Sequence, residues 1–152
     1  MKELTRLFIE GTSRAPQIDF DNLSGELTLS GRSIPENAAK IYEPLLDWVH
    51  KYLNAPCNTT NLRLNLVYFN TVSTIWIAKL IKVLSSISGS DYVLFIHLYL
   101  DIEDKESFQE DEVRDIIGSL TDNIANPAIS IGVKIHSIDE TGKIVKESLV
   151  FI

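Results

Sequence analysis

The stretch LRLNLVYFNTVSTIW, residues 62–76, decides the fold of this chain. Its first half alternates apolar with other side chains, which is the period of two of a strand with one buried face. From Asn70 the apolar period changes to 3.6 residues, which predicts an amphipathic helix over about 71–88. A strand that leads directly into a helix indicates a sheet with helical cover. The strand residues expected to face the core are Leu62, Leu64, Leu66 and Tyr68.

Two strands ahead of this stretch are predicted to form a hairpin. Residues 17–21 and 26–30 alternate apolar with polar side chains, and residues 22–25 between them have the composition of a tight turn. A short apolar run at 4–9 predicts a strand before them. The later elements are predicted as strand, helix, strand and strand at 92–100, 108–124, 129–135 and 143–152. The first of these is apolar nearly throughout, which predicts burial on both faces of the sheet.

A helix start is predicted where Ser33 is followed by Pro35 and Glu36. Ser33 is expected to cap the first free N–H groups, Glu36 to reach back to the cap, and Pro35 to occupy the first turn. The helix is expected to end at about Asn54. The complete order, β-β-β-α-β-α-β-α-β-β, predicts a single-domain α/β fold, with α+β as the alternative class. The expected architecture is a mixed sheet flanked by about three helices.

The composition disfavours several classes of partner. The chain has 152 residues, which fits one domain, and carries 14 basic against 21 acidic residues, a net charge of −7. Scattered basic residues on an acidic protein do not favour binding to nucleic acid or to an anionic membrane. Cys57 is the single cysteine, and the first residues do not form a secretory signal. These features predict a cytoplasmic protein without membrane insertion.

No sequence motif for catalysis or cofactor binding is present. His50, His97 and His136 form none of the spacings of metal-binding or catalytic histidines, and each is expected to have a structural or surface role. Phosphate-binding glycine loops and the serine nucleophile elbow are also missing from the sequence. Cys57 is expected to pack as a small apolar residue. The sequence therefore predicts a protein that is not an enzyme and needs no metal or cofactor.

One acidic segment carries most of the net charge. Residues 101–115 contain eight acidic and two basic residues, a net of −6. Acidic residues at a helix start complement the helix dipole, so a solvated first turn is the simplest explanation. Docking of a basic partner and binding of a divalent metal are the alternatives, although the spacing does not match a calcium-binding loop.

Three hydroxyl side chains cluster at the predicted strand-to-helix junction, where Thr71, Ser73 and Thr74 follow Asn70. Asn70 or Thr71 can serve as the N-cap, and this role alone does not require three hydroxyls. A phosphate here would meet free N–H groups and the positive end of the helix dipole. It would also change the charge of an exposed surface that a partner can recognise. The cluster is therefore a candidate phosphoacceptor site.

Several stretches of the chain match the pattern of a known family. They are residues 9–12 with Pro16, residues 30–38 (SGRSIPENA), residues 44–48 (PLLDW) and residues 66–73 (LVYFNTVS). With these stretches the chain resembles the SiaC family of bacterial regulatory phosphoproteins. The resemblance covers about residues 4–136, and residues 137–152 are a variable end. It implies a general α/β build like that of the anti-anti-sigma domains.

The resemblance implies a partner-switching protein and not an enzyme. A cognate Ser/Thr kinase phosphorylates such proteins, a metal-dependent phosphatase removes the phosphate, and the unphosphorylated form binds a diguanylate cyclase in the family's named system. The family's phosphorylated threonine follows an asparagine, which carries over to Thr71, with Ser73 and Thr74 as alternatives. The implied cap and partner surface comprises Arg32, Ser33, Pro35, Glu36, Asn37, Tyr68 and Asn70.

Overall fold

The structure is a computed structural model that describes residues 4–89, 91–101, 110–122, 124, 129–139 and 141–151. In this part of the chain the elements follow the predicted order. The strands are β1 (Leu7–Ile9), β2 (Gln17–Asp21), β3 (Glu26–Ser33), β4 (Thr59–Phe69), β5 (Val93–Asp101), β6 (Ser130–Ile138) and β7 (Ile144–Phe151). The helices are α1 (Ala38–Tyr52), α2 (Thr71–Leu84) and α3 (Glu110–Thr121).

The strands form one mixed sheet in which β1 to β7 lie in chain order. β3, β4, β5 and β6 are parallel neighbours, whereas β1, β2 and β7 pair antiparallel towards the two edges. Each parallel connection passes through one helix, and right-handed crossovers between adjacent strands place the three helices on the same face. α2 accordingly contacts both α1 and α3. The predicted α/β fold is confirmed, with its helices in a single layer.

The hydrophobic core lies between the sheet and this helical layer. Alternate strand residues supply one side of the core, and the apolar stripes of the helices supply the other. The fully buried members include Leu27, Leu29, Leu62, Leu64, Tyr42, Leu45, Ile77 and Leu80. No helix of the described residues covers the opposite face, so Phe95 and Tyr99 of β5 are only half-buried. The predicted burial of this strand on both faces is therefore confirmed only in part.

The predicted helix start at Ser33 is wrong. Ser33 is the last residue of β3, where it pairs with Phe69 and is fully buried, and α1 begins at Ala38. Asn37 is the N-cap, and its side chain accepts a hydrogen bond of 3.3 Å from a backbone N–H of the first turn. Pairing with β4 keeps Ser33 extended, so the capping pattern that it forms with Glu36 is not used.

A β-bulge between β3 and β4 changes which side chains of β4 face the core. The register shifts between Gly31 and Arg32, so that Val67 is an extra residue on β4. Gly31 has a φ of +97°, a left-handed conformation that glycine adopts at low cost. The extra residue reverses the alternation of β4: after the bulge Phe69 faces the core, with 3% exposure, and Tyr68 faces outward, with 38% exposure. The prediction that Tyr68 faces the core is therefore wrong.

Both the hairpin turn and the last strand are confirmed. Gly25 closes the turn between β2 and β3 with a φ of +76°, and the final apolar run forms β7, which pairs antiparallel with β6. Of the acidic segment, residues 102–109 lie outside the described residues, and Glu112 and Asp115 are exposed on α3. The three interpretations of that segment therefore stay predictions.

Candidate functional site

The candidate site is the junction between β4 and α2. Asn70 is the N-cap of α2, since its backbone is extended and its Oδ1 accepts a hydrogen bond of 2.9 Å from the N–H of Ser73. This cap is a local property, because an asparagine oxygen can reach the free N–H groups of the first turn. Thr71 is the first residue of the helix and is exposed. Of the two predicted cap candidates, Asn70 and Thr71, the structure has Asn70 as the cap.

The three hydroxyls of this turn have different environments. Ser73 is fully buried, and its Oγ donates a hydrogen bond of 2.8 Å to the backbone oxygen of Ser33. Thr74 is half-buried, and its Oγ1 donates to the backbone oxygen of Asn70 at 3.0 Å. The hydroxyl of Thr71 makes no hydrogen bond to any other residue that the structure describes. Thr71 is therefore the hydroxyl that can react without losing such a bond.

A buried hydroxyl network, formed by Ser33, Tyr42 and Ser73, joins β3, α1 and α2. The Ser33 Oγ lies 2.5 Å from the phenol oxygen of Tyr42 and 2.8 Å from the Ser73 Oγ. The N–H of Asn70 also donates to the backbone oxygen of Ser33, at 3.1 Å. Burial raises the pKa of Tyr42, so the phenol keeps its proton and can donate. The network holds the first turn of α2 against the end of β3.

The surface beside Thr71 has a cavity of about 210 Å³ between the start of α2 and α3. Its lining consists of Tyr68, Phe69, Thr71, Thr74, Asp115, Ile116 and Ser119. Two neighbouring apolar side chains on α2, Val72 and Ile75, are 50% and 52% exposed. Adjacent exposed apolar side chains are typical of a surface that a partner covers. Asp115 adds a negative charge to this surface.

The start of α2 is electrostatically suited to a phosphate group. No acidic residue lies in the first turn, so no carboxylate opposes a phosphate there. The N–H groups of Ser73 and Thr74 already bond to Asn70, so the favourable term for a phosphate is the helix dipole and not these two donors. The aligned peptide dipoles give this end of the helix a partial positive charge. A phosphate on Thr71 would therefore lie beside a favourable dipole end and need not unfold the helix.

The other residues of the predicted partner surface follow one another along the connection from β3 to α1. Arg32 is half-buried and pairs with Tyr68, Pro35 is half-buried, and Glu36 and Asn37 are exposed. Glu36 also forms an exposed ion pair, with its Oε1 3.7 Å from a guanidinium nitrogen of Arg14. Ser33, the last residue of β3, is buried and not exposed on the predicted partner surface, and its Oγ and backbone oxygen hydrogen-bond to Ser73 in the first turn of α2.

Comparison with protein families adds the identity of the chain. A family model, SiaC family regulatory phosphoprotein, matches residues 9–122. The chain belongs to the SiaC family. The match includes the β4–α2 junction and ends at the residue after α3. The chain is therefore a member of a family of regulatory proteins, and the matched residues run from the end of β1 to the end of α3.

Solved SiaC family structures share the fold. Apo-SiaC from Pseudomonas aeruginosa has a TM-score of 0.62 at 25% identity, covering 84% of this chain and 98% of that chain. The crystal structure of the diguanylate cyclase SiaD in complex with its activator SiaC, from the same bacterium, gives a TM-score of 0.65 at 24% identity, covering 86% and 99%.

One curated sequence relative matches less than half of this chain. The uncharacterized protein PA14_02130 of Pseudomonas aeruginosa strain UCBPP-PA14 is 36% identical over 70 residues, which is 46% of this chain and 56% of that protein. The chain thus spans little more than half the length of this relative.

Cys57 and His50, considered above as candidate catalytic or metal-binding residues, lie away from the β4–α2 junction in sequence. The Cys57 Sγ lies 3.3 Å from the backbone oxygen of Asn22 and is half-buried, and His50 is exposed in the last turn of α1. Within the described ranges, no group of three or more His, Cys, Asp or Glu side chains could hold a metal ion. None of the helices described is long and apolar enough to cross a membrane.

Proposed function

We propose that this SiaC family protein is a regulatory phosphoprotein in which reversible phosphorylation of Thr71 controls binding to a signalling partner. One observation carries the proposal: Thr71 is the exposed first residue of α2, whereas Ser73 is fully buried and Thr74 is hydrogen-bonded to the backbone. A Ser/Thr kinase needs an accessible hydroxyl, and Thr71 offers one at the end of a helix that tolerates negative charge.

The proposed partner is a diguanylate cyclase. The support is that SiaC of Pseudomonas aeruginosa is the activator in a complex with the diguanylate cyclase SiaD. In this proposal the unphosphorylated protein binds the cyclase, a cognate Ser/Thr kinase adds the phosphate, and a metal-dependent phosphatase removes it. The protein itself acts by binding and performs no catalysis.

The surface beside Thr71 provides a physical reason for release of the partner. A phosphate adds about −1.5 to −2 charges and a large hydration shell. Here it would lie next to the exposed Val72 and Ile75 and in the same cavity lining as Asp115. A partner that covers the apolar side chains must then bury part of a dianion, which is unfavourable unless the partner supplies a matching positive charge.

Phosphate mapping on acceptor variants tests this proposal. Incubation with the cognate kinase and magnesium ATP, followed by peptide mass analysis, is expected to add one phosphate to the peptide that contains Thr71. Thr71→Ala is expected to abolish incorporation and to retain cyclase binding, whereas Thr71→Ser is expected to restore incorporation. Thr74→Val is the matched control, because it removes a neighbouring hydroxyl and is expected to leave incorporation unchanged. Undiminished incorporation into Thr71→Ala would exclude Thr71 as the acceptor.

A second candidate function is a constitutive interaction module without phosphorylation. The exposed Val72 and Ile75 favour it, because they offer apolar contact area whether or not Thr71 is modified. Cyclase binding that is equal with and without kinase treatment, together with no phosphate on any peptide, would support this alternative. Binding that is lost in step with phosphate on Thr71 would exclude it.

A further inference from the structure

A cluster of polar side chains lies on the helix-free face of the sheet, away from the β4–α2 junction. It consists of Asn61 on β4, His97 on β5, His136 on β6 and Glu147 on β7, here called the histidine chain. The two histidines are 3% and 4% exposed, although no described helix covers them. Their rings stack with a centroid distance of 5.2 Å, and Tyr99 stacks on His136 at 4.5 Å.

The hydrogen bonds determine where the protons of the histidine chain lie. The Asn61 amide nitrogen is 3.3 Å from Glu26 Oε1, so Asn61 Oδ1 faces His97, and the His97 Nε2 at 2.7 Å carries a proton. Burial, followed by the charge of Arg63, lowers the pKa of His97 to about 3, which keeps this ring neutral. His97 Nδ1 is then an acceptor, and His136 Nε2, 2.9 Å away, donates to it.

The Nδ1 atom of His136 remains as the position for one further proton. This nitrogen is buried and makes no aligned hydrogen bond, although it lies 2.8 Å from a carboxylate oxygen of Glu147. Without a proton its lone pair faces a carboxylate, which is repulsive. With a proton the ring and the carboxylate form an ion pair. The contact between β6 and β7 at this point therefore depends on the charge of His136.

Charged groups on each neighbouring strand act on His136. Burial has the largest effect and lowers the pKa of His136, and Arg63 on β4 and Lys134 on β6 lower it further. Glu147 on β7 raises it, which makes Glu147 the group that offsets burial. On β5, the titratable groups in contact with the ring are His97 and Tyr99.

We propose that the histidine chain is a pH-sensitive fastening of the edge strand β7, in which Glu147 stabilises the proton that Nδ1 of His136 takes up in acid. Glu147 is 59% exposed on an edge strand, so it can leave His136 without disturbing the core. Opening of β7 would expose the backbone edge of β6 to pairing with another strand. The proposal does not depend on phosphorylation of Thr71.

The sign of the pH effect follows from proton linkage. Because burial lowers the pKa of folded His136 below its ordinary value, the unfolded chain takes up this proton more readily than the folded one. The stability is therefore complete above pH 6.5 and is lost as the pH falls from 6.5 through the lowered pKa. Glu147 reduces this loss, because its ion pair exists only while β7 is in place. Removal of the carboxylate must therefore make β7 open more readily in acid.

The substitution Glu147→Gln tests the fastening while keeping the shape of the side chain. In an NMR titration of the histidine rings, the pKa of His136 is expected to fall by about one unit in the variant. Hydrogen exchange of the β7 amides measures strand opening in the same two proteins. The ratio of opening, variant over wild type, is expected to rise about tenfold as the pH falls through this titration, since one pKa unit corresponds to a tenfold change.

Glu43→Gln is the matched control, because it removes the same charge from an exposed position on α1. It is expected to leave both the His136 titration and the β7 exchange unchanged, and the exposed His50 provides a reference signal in every sample. An equal pKa of His136 in Glu147→Gln and wild type would overturn the proposal. A ratio of β7 opening that stays constant with pH would overturn it as well.

Discussion

Thr71, Ser73 and Thr74 carry the same hydroxyl group within four residues, yet the fold makes them chemically different. Phosphorylation of Ser73 would remove a buried donor from the Ser33 backbone oxygen and force a dianion into a site with 0% exposure. Phosphorylation of Thr74 would break its bond to the Asn70 backbone oxygen. Thr71 incurs neither cost, which is the residue-level basis of the proposed switch.

A substitution at Ser73 separates its structural role from an acceptor role. Ser73→Ala removes two buried hydrogen bonds, to the backbone oxygen and to the Oγ of Ser33, and is expected to lower the free energy of unfolding by about 1–3 kcal/mol. It is also expected to leave phosphate incorporation intact, because the acceptor is Thr71. Urea denaturation and kinase labelling measure the two effects. A folded Ser73→Ala protein that no longer takes up phosphate would contradict the assignment of Thr71.

The β4–α2 unit contains a single residue between strand and helix, because β4 ends at Phe69 and α2 begins at Thr71. The bulge between Gly31 and Arg32 adjusts the end of β4 before this junction. Asn70 then caps the helix, and the hydroxyl network fixes the first turn to β3 and α1. The position of the proposed acceptor is thus set by two strands and two helices.

Removal of the cap tests the stability of this unit. Asn70→Ala is expected to destabilise the protein by about 1 kcal/mol, because the N–H of Ser73 loses its acceptor. For a domain of this size, such a loss lowers the melting temperature by about 2–4 °C. Asn70→Asp keeps a capping oxygen and is expected to melt within about 1 °C of wild type. Thermal unfolding by circular dichroism distinguishes them, and equal melting of Asn70→Ala and wild type would be inconsistent with this cap.

At the scale of the whole molecule, the described residues form an asymmetric fold, with their three helices on one face of the sheet and polar groups on the other. The histidine chain, together with Arg63 and Glu26, replaces an apolar layer on the open face. Arg63 bonds to the Glu26 carboxylate at 2.6 Å, which balances its charge, and donates to the Tyr99 hydroxyl at 2.7 Å, so its hydrogen bonds join three strands. Hydrogen bonds between side chains on that face and apolar packing on the other face therefore hold the same strands together.

Acid stability is expected to depend on His97. Burial, followed by the charge of Arg63, lowers the pKa of His97 to about 3. The stability that the neutral ring contributes is therefore complete above pH 6.5 and is lost as the pH falls towards 3. In His97→Gln, the unfolding free energy is expected to fall less steeply with acid, by up to about 1.4 kcal/mol per pH unit. Urea denaturation at a series of pH values measures this slope, and parallel profiles for the two proteins would contradict the prediction.

Some of the site could be predicted from the sequence, and the limits have physical causes. The cap at Asn70 was predictable, because it depends on residues within four positions of each other. The local pattern predicts a helix cap at Ser33 and a core position for Tyr68, and both predictions are wrong because the pairing of β3 with β4 decides the conformation of these residues. Nothing local indicates that the Tyr42 hydroxyl bonds to Ser33, because the two residues lie on different elements that only the fold brings together.

The sequence by itself determined the order of the elements, the α/β class, the hairpin turn at Gly25 and the presence of hydroxyls after a capping asparagine. These features follow from periodicity, capping and turn chemistry, which act over a few residues. Tertiary structure alone decided that Ser73 is buried while Thr71 is exposed, and that His97 contacts His136. Those outcomes depend on strand register and helix packing between residues about forty positions apart, where no local energy term favours one arrangement over another.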